Sequence, residues 1–315
     1  MRGKRSVPAG VLAAFMLVLF LIQTAPPARA EAPAASSVRT VEVLGESFPQ
    51  DAEEITLRAR RVDDPGQLIG ELSRLPALRR VYMWNADIVQ DVRQRIADAF
   101  PEVFFGFTMR FNRTHVFRTD GTAFSTLSRA PLLVHSQLYS FALCPDLKAL
   151  DVGHNRILQL DFLEKLPKLK ILIVADCGLT DIGPIACQTD LEYLELFLND
   201  ITDISPLAGL TGLIDLNLCF NRITDLSPLY GMKNLRRLWL MKNPGLTAEE
   251  VDRLREQLPD CDIVLRSYGS TGNVLDEKGR QIPDSSWRHH PHYDTIHYIF
   301  NHRDYIGWDD PVPQF

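Results

Sequence analysis

Five of the chain's eight histidines, His289, His290, His292, His297 and His302, fall within the fourteen residues from 289 to 302. Neutral imidazoles at His292 and His297, with Asp294 between them, have the donor chemistry of a zinc site, and a metal-dependent hydrolase is one function they would suit. Their spacing of five is not the i, i+4 pair that puts two ligands on one helical face, and no cysteine stands near them. The reading preferred is a short polar helix, with Tyr293, Ile296, His297 and Phe300 on one face, closing an exposed end of the core. His154 beside Asp151 is a second acid–base pair, read as exposed polar residues at a strand edge. No G-x-S-x-G, H-E-x-x-H, glycine-rich phosphate loop or C-x-x-C is present, so no catalytic residue, metal or cofactor is assigned.

Composition narrows the partners. The chain has 315 residues, is 45% hydrophobic and carries a formal charge of −6. Its first 30 residues have a basic start (Arg2, Lys4, Arg5), an apolar run from Val11 to Ile22 and a small-residue ending, Ala28-Arg29-Ala30. That order describes a secretory signal peptide cut after Ala30, and the run falls short of the roughly 20 residues a membrane span needs. Cleavage would remove Arg2, Lys4, Arg5 and Arg29 and no acid, leaving 30 basic against 40 acidic residues, a charge of −10. A secreted protein with no stable membrane span is expected. Nucleic acid is an unsuitable partner for so acidic a chain, because its affinity comes from phosphate neutralisation. Cys144, Cys177, Cys187, Cys219 and Cys261 show no paired spacing and give an odd count, so they are not a disulfide framework.

The elements that carry these residues follow from a repeat. Leucine recurs at Leu147, Leu169, Leu191, Leu213 and Leu235, always 22 residues apart. Three residues later come Leu150, Leu172, Leu194, Leu216 and Leu238; two further come Val152, Val174, Leu196, Leu218 and Leu240. The pattern closes on Asn155, Cys177, Asn199, Asn221 and Asn243, giving L-x-x-L-x-L-x-x-N/C five times in register. Alternation at period two makes the middle of each unit a short strand with one face inward. One such strand cannot bury its leucines alone, so the units must stack into a parallel sheet with a continuous core. The Asn side chains are too polar to be buried unpaired, and a ladder of bonds to the backbone is expected along them. In "LTDIGPI", "ITDISPL" and "ITDLSPL", Asp181, Asp203 and Asp225 suit turns, while Pro184, Pro206 and Pro228 limit any long helix. Short 3-10 turns are expected there. Gln159 and Phe162 stand where the first unit should have Asp and Pro, and an irregular back is expected.

With its consensus and its run "YLELFLNDITDISPLAGLTGLIDLNLCFNRITDLSPL", residues 147–264 resemble the 22-residue repeats of bacterial internalins and of certain eukaryotic phosphatase regulators, most closely those of secreted or surface proteins of Gram-positive bacteria. The resemblance implies a protein-binding scaffold. A structural cell-surface component is the alternative.

The fold expected is α/β, a leucine-rich-repeat solenoid with a curved parallel sheet on its concave side. Its divisions are a signal peptide (1–30), a linker (31–50), divergent repeats (51–103), an inserted hairpin with its connection (104–146), the repeat domain (147–265) and a loop with capping helix (266–315). Leu78–Phe105 echoes Leu235–Val264, each reading strand, amphipathic helix, Pro and strand; in the later copy Thr247 caps and Val251, Leu254 and Leu258 face inward. The hairpin should turn near Asn112, where Asn112-Arg113-Thr114 matches a glycosylation sequon read as chance.

Residues between the leucines must point away from the core. Across the stack they read Ile171, Ile173 and Asp176; Tyr193, Glu195, Phe197 and Leu198; Asp215, Asn217, Cys219 and Phe220; Arg237, Trp239, Met241 and Lys242. Exposed apolar ribbons mark interaction sites and aromatic residues are typical anchors. A protein or peptide ligand is expected on this face, with Phe197, Phe220 and Trp239 as anchors and Glu195, Asp215 and Lys242 selecting by charge. A hairpin or tail folded over the ribbon is the competing reading.

Overall fold

The computed structural model describes residues 39–58, 61–111, 116–126, 133–157, 159–266, 289–295 and 297. The expected signal peptide, the sequon, the stretch from 267 to 288, and Ile296, Phe300 and His302 lie outside these residues.

β1 (Thr40–Val43) and β2 (Glu46–Pro49) form an antiparallel hairpin turned by Leu44 and Gly45, both at positive φ. Val41 and Val43 alternate onto a buried face, and the Leu44 N–H donates to Glu71 at 2.8 Å. This corrects the expected linker for residues 40–49: the period-two valines are a strand whose apolar face covers the first core.

β3 (Glu54–Thr56), β4 (Arg80–Met83) and β5 (Phe104–Arg110) run parallel, and β6 (Val116–Arg118) returns antiparallel on β5. Two helices make the crossovers, α1 (Pro65–Leu72) and α2 (Gln90–Ala99). Asp64 caps α1 through Oδ1, which accepts from Gly66 N at 2.8 Å and Gln67 N at 3.1 Å, with Pro65 in the first turn.

The second sheet has seven strands, all parallel and in chain order: β7 (Ala123–Ser125), β8 (Ala149–Asp151), β9 (Ile171–Ile173), β10 (Tyr193–Glu195), β11 (Asp215–Asn217), β12 (Arg237–Trp239) and β13 (Asp262–Val264). α3 (His135–Leu138) leads into a 3-10 turn at Tyr139–Leu143, and further 3-10 turns follow at Asp161–Lys165, Gly183–Cys187, Ser205–Leu207 and Ser227–Leu229. α4 (Ala248–Gln257) replaces the turn in the last crossover; Thr247 Oγ1 caps it by accepting from Glu250 N at 3.2 Å. The first unit's back is as regular as the others, because Phe162 is buried in the core and holds the turn without a proline. Gly183, Ser205 and Ser227 each donate their N–H to the preceding aspartate, two residues back, at 2.7 to 2.8 Å.

Residues 104–146 are not an insertion. β5 is a strand of the first sheet, and β7 pairs with β8 in register, Phe124 beside Leu150, so an additional repeat precedes the five read from the leucines. Two cores result. One runs from Met109 to Leu258 and holds every leucine of the repeat; the other, from Val41 to Phe107, is closed by Leu143. Each fully buried leucine stabilises by about 1.5–3 kcal/mol. Phe117, Phe124 and Phe141 fill the join between the sheets, with ring centroids 5.1 and 4.9 Å apart. Thr119 completes β5 where the pairing stops: its Oγ1 accepts from Phe107 N at 2.9 Å and donates to Phe105 O at 2.6 Å. Among the described residues no helix is long and apolar enough to cross a membrane.

Candidate functional site

The ladder fixes the edge of the repeat sheet. Asn199 Nδ2 donates to Val174 O and Leu196 O at 3.0 and 3.1 Å, and its Oδ1 accepts from Cys177 N and Leu179 N at 3.1 and 3.0 Å. Asn221 and Asn243 repeat the pattern, accepting from Ile201 N and Ile223 N, and Asn155 accepts from Leu133 N. At Cys177 the thiol replaces the amide, pointing at Val152 O and Ala175 O at 3.5 and 3.3 Å. Burial pushes this thiol up to about 12, so it stays protonated and acts as a weak donor. All five cysteines are free thiols.

Holding the turn this way forces the residue before each ladder position into the left-handed region. His154, Asp176, Leu198, Phe220 and Lys242 have φ of 60°, 53°, 55°, 57° and 60°. Left-handed backbone costs a bulky L-residue about 1–2 kcal/mol. These five residues, 22 apart, form a rim along the sheet face opposite the leucines. Leu198 is 42% exposed, Lys242 is exposed, and Phe220 is half-buried with its ring centroid 5.1 Å from that of Phe197. His154 pairs with Asp176 at 3.1 Å and not with Asp151, which is buried and takes Ser125 Oγ and Gly153 N at 2.7 and 3.0 Å. Beside Met241 and Lys242 the rim opens into a groove of about 690 Å³, lined also by Leu246, Val251 and Leu265.

The sheet face itself departs from expectation. Trp239 and Tyr193 are fully buried, at 0% and 1% exposure, and Asp215 and Glu195 are buried with them, at 0% and 5%. They cannot be exposed anchors or exposed selectors. Trp239, Tyr193, Ile171, Ala149 and Cys219 form a third apolar cluster, with Phe197, Phe220, Met241, Val264 and Tyr293 packed against it. Tyr193 Oη donates to Glu195 Oε2 at 2.7 Å. Arg237 clasps Asp215 through Nε and through Nη2, the latter at 2.7 Å from Oδ2. Burial raises the Asp215 carboxyl above its usual range, opposed by the Arg237 bonds and charge.

The described part of the tail meets this face, not an end of the core. His290 packs edge-on to Tyr193 with centroids 5.9 Å apart, and His292 Nε2 lies 3.3 Å from Glu192 Oε2. The capping role expected of Tyr293 and His297 is corrected accordingly: Tyr293 packs on the third cluster and stacks with His297 at 5.3 Å. Among the described residues no group of three or more His, Cys, Asp or Glu is placed to hold a metal ion.

An aromatic platform on the first sheet was missed from sequence. Tyr82 and Trp84 stack at 5.4 Å, Phe104 meets Tyr82 at 6.2 Å, and Arg118 lies 3.8 Å over the Trp84 ring. Gly106 lies against these rings: a Cβ there would stand 2.5 Å from Tyr82 and 2.7 Å from Trp84. The alternation in "RVYMW" and "FFGF" carried the signal.

A ladder of asparagines on a parallel sheet backed by 3-10 turns defines a leucine-rich-repeat protein. A family model described as leucine-rich repeats, two copies, matches residues 211–252. In repeat length and consensus the chain resembles the repeats of internalins. No curated protein matches it in a sequence search. Among solved structures, an internalin from Listeria monocytogenes is similar at 20% identity and a TM-score of 0.42, over 62% of this chain and 49% of that one. Internalin C2 of the same species is similar at 18% and 0.38, over 70% and 85%. A leucine-rich-repeat protein from Leptospira interrogans is similar at 13% and 0.36, over 72% and 54%. The chain thus spans about half the length of the first of these.

Proposed function

We propose that the solenoid is a non-catalytic scaffold that binds a protein or peptide ligand across the outer face of its repeat sheet and the adjoining rim. The observation that carries this is the rim: Leu198, Phe220 and Lys242 are held at φ of 55–60°, where Asn or Gly would sit without strain. The ladder imposes this backbone in every repeat, so the informative feature is that bulky residues and not Asn or Gly are kept on it, as at positions held under strain for function. Stability does not call for an exposed leucine there, whereas a ligand contact does. Phe197, Phe220 and Met241 supply partly covered apolar area beside it, and the groove at Lys242 extends the surface. Tyr193, Glu195, Asp215, Arg237 and Trp239 act as a rigid floor under that surface. The amino-terminal 30 residues support a secreted site of action, and the mature chain is expected to begin at Glu31.

Affinity capture tests this with the mature chain and a Leu198→Ser, Phe220→Ser, Lys242→Glu variant shown folded by circular dichroism. A partner retained by the parent, then shown with purified components to bind the variant at least about tenfold more weakly, a loss of about 1.4 kcal/mol, supports the reading. Equal binding would sink it.

A further inference from the structure

The segment 289–295 is seated on the surface just proposed as the binding face. His290 is 3% exposed, and its ring stands edge-on to Tyr193. Tyr293 N donates to His290 O at 2.9 Å, a turn that brings the Tyr293 ring onto the apolar cluster containing Trp239. His292 reaches Glu192 at the start of β10, while His289 and Pro291 border a cleft lined by Lys170, Glu192, Arg236 and Arg237. The segment therefore lies along one line of repeats, from Glu192 and Tyr193 across to Arg237.

The seat requires one protonation state of His290. Its Nδ1 accepts the His292 backbone N–H at 3.2 Å, so that nitrogen must carry a lone pair and the ring must be neutral. Nε2 then carries the hydrogen, and it has no hydrogen-bond partner among the described residues. An imidazolium would lose the bond from His292 and bury a full charge that the carboxylate and backbone carbonyl of Glu192 compensate only in part. The charged and titratable groups facing the ring are Glu192 and Arg237 on the repeats, His292 on its own segment and the Tyr193 phenol.

We propose that residues 289–295 are a strap occupying the binding face in cis, held by neutral His290 and released when that imidazole is protonated. The face and the strap's contact residues are those assigned above, so the inference rests on that reading of the face, and it adds regulation by acid.

Burial lowers the His290 value from 6.5 to about 4, helped by His292 and Arg237 and opposed by Glu192. A base whose bound-state value is depressed favours docking fully above its free value, so docking is at full strength above about 6.5 and weakens as pH falls toward 4. Relative to pH 7.5, the docking constant should fall about 30-fold at pH 5.0, following the titration of the freed imidazole.

Hydroxyl-radical footprinting of the full chain, without any partner, reads docking directly. Tyr193 should be protected at pH 7.5 and labelled at pH 5.0, while Leu194 and Leu216 stay protected as controls for an intact core. His290→Phe, which cannot be protonated, should keep Tyr193 protected at both values; His290→Gln, which also keeps an acceptor for His292 N, is read the same way. Unchanged Tyr193 protection in the parent overturns the proposal. So does opening of either variant at pH 5.0 to the parent's extent, or opening of both at pH 7.5. Because no ligand is present, failure here leaves the capture experiment to judge the binding face separately.

Discussion

Arg237 grips Asp215 through a two-pronged, in-register contact between β12 and β11, in a site where the carboxylate has no solvent exposure. A buried pair of this kind contributes little net stability compared with an apolar replacement, but losing one partner leaves a bare charge. Arg237→Ala should therefore destabilise the fold by about 3–5 kcal/mol, whereas Asp215→Leu with Arg237→Met should cost much less. Urea denaturation of the two variants decides it; equal losses would mean the pair is solvated in solution.

Asp151 gives a stability effect with a defined pH direction. Burial raises its carboxyl above 3.8, against the bonds from Ser125 and Gly153 and the charge of His154. A raised carboxyl contributes stability that is full below the unfolded value and lost as pH rises through the folded one. Asp151→Asn keeps an acceptor for Gly153 and can donate to Ser125, so its gain in Tm over the parent should grow from pH 3.5 to pH 7. A constant difference across that range would refute the assignment.

The ladder predicts opposite effects at neighbouring rungs. Asn199→Ala strips the side-chain partner from two buried N–H groups and from Val174 O, while Leu196 O keeps its bond from Asn221 Nδ2, and a loss of at least about 3 kcal/mol follows from penalties of 1–3 kcal/mol per unsatisfied group. Cys177→Asn supplies a stronger donor pair to Val152 O and Ala175 O, and should stabilise by about 1 kcal/mol. Chemical denaturation of both variants provides the check, and a destabilising Cys177→Asn would show that the turn around Asp176 has no room for an amide.

What the sequence disclosed depended on periodicity. The leucines and ladder residues at strict 22-residue spacing specified strands, core and turns, and Thr247 with Val251, Leu254 and Leu258 specified α4. The repeat at β7 was hidden because Phe124 replaces a leucine and lies 26 residues before Leu150. Alternation also told which side chains leave the core, but not what then lies over them; burial of Trp239 and Tyr193 depends on residues distant in sequence, such as Tyr293 and His290. The strained rim was invisible for a different reason. Left-handed residues are recognised by Gly or Asn, and here the ladder imposes that backbone on His154, Asp176, Leu198, Phe220 and Lys242.

That imposed strain separates stability from binding at a single position. Asn accepts left-handed backbone through its short polar side chain, so Leu198→Asn should relieve strain and raise stability by about 1 kcal/mol. The leucine is 42% exposed in the free protein, so less packing is lost in exchange than at a core leucine. The same substitution removes an apolar contact at the proposed surface and should weaken the captured ligand's affinity. Stability from thermal unfolding and affinity from calorimetry, measured on one preparation, should move in opposite directions. If both improve, or if stability falls, Leu198 is not held in strain for the sake of a ligand.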